Sequence, residues 1–299
     1  MRDDKIMDGP VTNLTFEIDA GSRKQKLGDY LTDNLRGLSK MYLRELIKTG
    51  RCEVNGRIEN SGYRLRQNDF IELGADLSRG RSMRPEDLSL EIVFEDEELL
   101  VVNKPAGMLM HPSHRENSGT LLNAVVHYLN FREGGSERAF IRPGLPHRLD
   151  KQTSGLVLVA KTLRSHRALS RHFMHRRVEK RYLALVEGLV RPDHGSIVAP
   201  IGRDADLKSW GVRADGKHSE SRFVVRQRRP DGTTLVELEP VTGRTNQLRI
   251  HCESVGHPIV GDAKRGGREF ARLCLHAHKL GFPHPVGSAW QEFETPAFF

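Results

Sequence analysis

The residues best suited to chemistry lie in one run, Ile141 to Lys161, IRPGLPHRLDKQTSGLVLVAK. A Pro-Gly turn leads into His147-Arg148-Leu149-Asp150-Lys151, followed by Thr153-Ser154-Gly155 and the apolar stretch Leu156 to Ala160. Gly, Pro, Ser and Thr mark turns, and a short Val/Leu run bounded by them reads as a buried strand. Asp150 is therefore expected on a loop at the mouth of a central strand, between two cations. Neighbours of that kind hold a carboxylate ionised, as a nucleophile or a base requires. A surface salt bridge beside a strand is the plainer alternative for the string Arg-x-Asp-Lys taken alone.

A second cluster is purely cationic. Between positions 23 and 67 eleven bases face five acids, so most of the chain's net +8 falls in this stretch. Arg44, Lys48 and Arg51 recur at three- and four-residue steps, which predicts one helix face. Such a face suits a phosphate backbone, although most charged helix faces are merely solvated.

Other chemistries lack their residues. Cys52, Cys252 and Cys274 are far apart and no Cys-x-x-Cys pair occurs, so neither a zinc site nor a disulfide framework is expected. His172 and His175 have helical metal-ligand spacing but no third ligand nearby in sequence. There is no Gly-x-Gly-x-x-Gly after a strand and no Walker loop, hence no expected nucleotide cofactor. No apolar run reaches membrane-spanning length and the N-terminus is polar. A cytoplasmic monomer with a polyanionic partner is expected.

The elements that must position these residues fall into an α+β pattern. Residues 1–21 read as a polar leader whose alternating stretch Leu14 to Ile18 is also compatible with a strand. Residues 22–74 read as a small domain. It holds a Leu27/Leu31/Leu35 helix, then a Met41 to Ile47 helix capped by Ser39. A strand, an Asn55-Gly56 hairpin turn and a further strand follow. Residues 75–88, rich in Gly, Ser, Arg and Pro, read as a linker. Residues 89–299 read as one large domain. Strands are predicted near 90–94, 99–103, 156–160, 180–188, 221–226, 234–238 and 273–280, and helices over 119–129 and 162–178. The second helix carries Arg164, Arg167, Arg171, Arg176 and Arg177, a surface equally open to RNA and to solvent.

The His147 to Lys161 block closely resembles the signature of RluA-type pseudouridine synthases. So do Asn103 to Pro112 (NKPAGMLMHP), Lys180 to Gly188 (KRYLALVEG), Glu239 to His251 (EPVTGRTNQLRIH), Gly256 to Asp262 (GHPIVGD) and Leu273 to Leu280 (LCLHAHKL). Together they span about residues 90–282. The chain departs from the family pattern at Asn246, where a His is usual, and at Pro146, where an aliphatic residue is usual. The resemblance implies a large, mixed, mainly antiparallel sheet and isomerisation of uridine to pseudouridine in RNA without cofactor or metal. It makes Asp150 the catalytic carboxylate, paired with Arg249. It sets Tyr182 against the uracil, Leu248 in the apolar wall, and Arg148 in the gap left by a flipped nucleotide. The N-terminal order of elements resembles the alpha-L RNA-binding domain, which points to large-subunit ribosomal RNA. Alternatives are a synthase of transfer RNA, a non-catalytic RNA-binding or ribosome-assembly protein, and a lone-carboxylate hydrolase such as a glycosidase. The last normally needs a second carboxylate.

Overall fold

The computed structural model describes residues 11–35, 38–76, 85–113, 116–131, 141–204 and 209–299. The chain divides into two compact units, 1–84 and 85–299. The predicted linker falls mostly outside the described residues, except that Ala75 and Asp76 end a strand and 85–88 begin the second unit.

The first unit runs β1 (Val11–Glu17), α1 (Leu27–Asn34), α2 (Lys40–Lys48), β2 (Cys52–Val54), β3 (Arg57–Ile58) and β4 (Phe70–Asp76). Its sheet has the order β1-β4-β2-β3. The alternating stretch in the predicted leader is β1, which pairs antiparallel with β4 along its length. Asn55 and Gly56 both have positive φ, 52° and 72°, the backbone a tight hairpin between β2 and β3 requires. Ser39 caps α2 by accepting from the Tyr42 amide at 3.0 Å. Leu27, Leu31, Leu43, Leu46, Ile71 and Leu73 close a core of their own.

The second unit runs β5 (Glu91–Glu95), β6 (Leu99–Lys104), α3 (Leu121–Phe131), β7 (Ser154–Ala160), α4 (Leu163–Met174), β8 (Glu179–Glu187), β9 (His194–Val198), β10 (Ile201–Arg203), β11 (Trp210–Val212), β12 (Glu220–Arg228), β13 (Thr233–Pro240), α5 (Gln247–Ser254), β14 (Leu275–Pro283) and β15 (Trp290–Glu294). Nine strands form one sheet in the order β5-β6-β7-β14-β8-β13-β12-β9, with β15 on β14. Every pairing is antiparallel except β7 with β14. The fold is thus α+β with a large mixed, mainly antiparallel sheet, as the sequence predicts.

β7 is buried at all seven positions. Leu156 and Leu158 share one face with Leu99, Val101 and Leu169 of α4. Val157 and Val159 share the other with Leu100, Val102 and Leu121 and Val125 of α3. A strand covered on both faces has no polar face to alternate with, which is why its sequence is one unbroken apolar run. Gly155, at φ +116°, permits the parallel contact with β14, since a Cβ there would lie 2.4 Å from the Ala277 carbonyl oxygen. The Asp150 loop is thereby delivered to the N-terminal end of a rigid central strand.

Candidate active site

A cleft of about 440 Å³ opens at that strand end. It is lined by the 146–150 loop, the C-terminal end of α4, Lys180 and Tyr182 of β8, and the Thr242 to Arg249 turn and helix start. Asp150, Arg148, Tyr182, Leu248 and Arg249, scattered over about a hundred positions, all line it. Asp150 is its only carboxylate among the described residues. Arg148, Arg176, Lys180, Arg244 and Arg249 supply five cations.

The loop carrying Asp150 is fixed from three sides. The Thr153 amide donates to the Asp150 carbonyl at 3.1 Å, and the Gly107 amide donates to the Lys151 carbonyl at 2.8 Å. His147 Nε2 accepts from the Leu158 amide of β7 at 2.8 Å, and its ring stacks on Phe173 at 4.6 Å. Burial, then the charge of Lys180, pushes the His147 pKa down to about 3, so the ring stays neutral and its acceptor nitrogen available. Leu149, 4% exposed, points into the core beneath.

Lys104, singled out for no role in the sequence and falling only within the Asn103 to Pro112 block, has no exposed surface. Its ammonium donates to the carbonyls of Pro105 at 2.7 Å, Met108 at 2.9 Å and Lys151 at 3.3 Å, tying the 104–108 turn to the Asp150 loop. Burial pushes its pKa down to about 8, against the pull of Asp150. The signal was present: Lys104 continues the Leu100, Val102 alternation and so belongs to a buried face.

Two electrostatic expectations need correction. Asp150 does not lie between Arg148 and Lys151, because Lys151 turns away to Glu116 at 2.6 Å. The cations felt by Asp150 are, in falling order, Arg249, Arg148, Lys104 and Arg265, and burial outweighs all four, so its pKa is raised. Nor does Arg249 form an ion pair with Asp150. Its guanidinium grips the buried Asp262 in a bidentate pair at 2.6 and 2.8 Å. Its remaining nitrogen donates to Asn246 Oδ1 at 3.1 Å. Geometry explains this: Arg249 is in the first turn of α5, facing the 261–262 turn, and a bidentate carboxylate matches its fork.

Asn246, one of the departures from the family pattern, precedes α5 with φ +54°. Asn tolerates this left-handed conformation better than most residues. Behind it, buried Gln247 accepts from Thr242 Oγ1 at 2.7 Å and from the Arg244 amide at 2.9 Å, and donates to the Glu220 carbonyl at 2.8 Å. These bonds fix the Thr-Gly-Arg turn. Leu248, 7% exposed, supplies apolar wall. Burial first, then the charge of Asp150, pushes the Tyr182 pKa upward, so it is a neutral phenol. Arg148 is exposed, with no ion pair among the described residues.

The remaining candidates lie in the first unit. Arg44 and Lys48 are exposed on α2 one turn apart. Arg51 is exposed too but not on that helix, which ends at Lys48 with Gly50 at φ +73°. The single-face prediction for the three therefore fails at Arg51. Among the described residues no group of three or more His, Cys, Asp and Glu side chains is arranged to hold a metal, and no helix is long and apolar enough to cross a membrane.

Comparison with known proteins agrees with this geometry. The family model described as RNA pseudouridylate synthase matches residues 98–254. An RNA pseudouridine synthase of Bacillus subtilis, YlyB, is 36% identical over 92% of this chain and 91% of its own. The ribosomal large subunit pseudouridine synthase D of Pseudomonas aeruginosa is 37% identical over 86% of this chain and 84% of its own. Among solved structures, human RNA pseudouridylate synthase domain containing 1 superposes with a TM-score of 0.58 at 31% identity, covering 71% of this chain and 85% of that one. The chain belongs to the RNA pseudouridylate synthase family and is an RNA pseudouridine synthase, an isomerase.

Proposed function

We propose that this cleft isomerises uridines of large-subunit ribosomal RNA, with Asp150 as the reacting carboxylate. The observation that carries the reading is a single half-buried, largely desolvated carboxylate in a cleft whose other charged side chains are all cations. Two-carboxylate hydrolysis lacks its second acid there. The isomerisation breaks the bond from uracil N1 to the sugar, turns the base, and joins its C5 to the same sugar carbon. The C5 proton leaves and N1 gains one, so no oxidant or group donor is consumed. One carboxylate suffices, as nucleophile at the sugar carbon or as base at the 2′ position, and either role needs it ionised and poorly solvated.

The base must leave its stack to reach Asp150. Exposed Arg148, with its ion-pairing capacity unspent, is suited to the vacated space or to a phosphate. Tyr182 offers a neutral aromatic face to the uracil. Burial, and after it the charge of Asp150, holds its pKa up. Arg249 supplies positive charge beside Asp150 without neutralising it directly. The first unit serves as an alpha-L-like RNA-binding domain through Arg44, Lys48 and Arg51, now from a helix face and an adjoining loop. Support for ribosomal RNA is the name of the Pseudomonas relative and of its counterpart in Zymomonas mobilis, 34% identical. Three free, buried cysteines fit a reducing cytoplasm. Mapping pseudouridines in large-subunit ribosomal RNA from a strain lacking this protein tests the substrate. One or more sites reverting to uridine is the expected result, and an unchanged map contradicts it.

A further inference from the structure

We infer that the exposed face of α4 is a second RNA-binding surface, a phosphate track that carries the strand flanking the target uridine away from the active cleft. This rests on the RNA-modifying function and adds a site to it. From Thr162 to Val178 the chain holds five arginines, three histidines and no acid. Arg164, Arg167, Arg171 and His175 follow one another at three- and four-residue steps and are all exposed, so they form one stripe. Lys161 ahead of this stretch pairs with Glu95, and Arg181 beyond it with Glu179 and Glu239, whereas Lys180 makes no ion pair among the described residues. None of the five arginines between them is in an ion pair among the described residues. Like charges at these spacings oppose helix formation; the first turn of α4 holds no acid of its own, and only the Glu98 carboxylate, bonded to Thr162 and Ser165 at that end, offsets Arg164. The stripe is thus a burden on the folded protein that an anionic partner would remove.

Its position identifies that partner. The C-terminal end of α4 separates two clefts. Phe173, Met174 and Arg176 line the active cleft. On the other side Arg171, His172, His175 and Arg177 line a cleft of about 340 Å³ closed by Pro285 and Ser288. Arg176 takes a left-handed backbone, φ +56°, and this turn sends neighbours Arg176 and Arg177 to opposite clefts. Burial and the surrounding cations Arg177 and Arg171 also hold the His172 pKa below its ordinary value, as an electropositive cleft should. A strand with its uridine beside Asp150 thus meets continuous positive charge over the end of α4, and the RNA sugar–phosphate backbone has the matching chemistry.

The test uses the full-length protein, an in vitro transcript of large-subunit ribosomal RNA, and the triple variant R164Q/R167Q/R171Q. Binding is measured from low to moderate salt. Each phosphate contact to a single strand contributes about 0.7 to the slope of log K against log salt. Three lost contacts should flatten that slope by about 2 and weaken binding at least tenfold at low salt. The variant R164K/R167K/R171K, which keeps the charges, should retain the parent slope and thermal midpoint, and the glutamine variant should melt no lower than the parent. A folded glutamine variant with unchanged affinity and slope would overturn the track. So would a lysine variant as impaired as the glutamine one. Failure of the parent protein to isomerise any uridine in ribosomal RNA would instead count against the function itself.

Discussion

Asp262→Asn should damage this protein more than its distance from the reaction in sequence suggests. The Asp262 side chain is 2% exposed and that of Arg249 16%, and they make a bidentate pair at 2.6 and 2.8 Å. Removing one member of a buried pair typically costs about 3–5 kcal/mol, because the other charge stays desolvated and unmatched. Arg249 keeps some contact with water and its bond to Asn246, which places the expected loss near the lower end, about 3 kcal/mol. For a unit the size of 85–299 that is a fall in thermal midpoint of about 6–12 °C. Activity should change in a specific way as well. A freed Arg249 can pair with Asp150, which would hold the carboxylate ionised to lower pH. The acid limb of kcat/KM should then move down while its plateau falls. Replacing both partners, as D262L/R249M, should restore much of the stability but none of the activity. Thermal denaturation and pH–rate profiles measure both effects. A single variant within about 1 kcal/mol of the parent would refute the claim that this pair anchors Arg249.

Lys104→Met removes the ammonium shared by three carbonyls, each of which costs about 1–3 kcal/mol when left unsatisfied. It also relieves the cost of burying a cation whose pKa has fallen from 10.5 to about 8, which corresponds to about 3 kcal/mol. We expect a net loss of about 2 kcal/mol by urea denaturation. Between pH 8 and 10.5 the unfolded parent binds more protons than the folded one, so this lysine makes stability rise with pH, a component the Met variant should lack. For Asp150 the sign is the reverse. Its folded pKa is raised, so its cost is absent below the unfolded value and grows as pH rises through the folded value. Asp150→Asn should therefore be at least as stable as the parent at pH 7, by thermal melting, and the acid limb of parent activity should lie above the pKa of an ordinary aspartate. Removing residues 1–84 should leave a folded unit, by circular dichroism, with weaker RNA affinity and a flatter salt slope. Unchanged affinity and slope would argue against RNA binding by Arg44, Lys48 and Arg51.

What the sequence disclosed depended on how local the signal was. The unbroken Leu156 to Ala160 run announced a strand buried on both faces, and Asn55-Gly56 a tight hairpin, because each pattern has few other uses. α5 was harder to read. It is eight residues long, and Leu248, Ile250 and Cys252 alternate in sequence as a strand would. β14 was legible as a strand near 273–280 but not its place between β7 and β8, since position in a sheet is a long-range property. The candidate site follows the same rule. Motifs brought Asp150, Tyr182, Leu248 and Arg249 to notice, and the fold gathers them in one cleft. Their pairing was not legible. The bond of Arg249 to Asp262 depends on a turn 13 positions away, and Lys151 leaves Asp150 for Glu116, 35 positions away. The competition between burial and four cations at Asp150 likewise exists only after folding.

The most direct test of the catalytic claim is tritium release from large-subunit ribosomal RNA labelled at uracil C5, comparing the parent with Asp150→Asn. Forming pseudouridine expels the C5 hydrogen, so release counts turnovers. The parent should release tritium in proportion to time, and the asparagine variant none above background while still binding the RNA. Release by a folded Asp150→Asn protein at a rate near the parent's would contradict the assignment of the chemistry to this carboxylate.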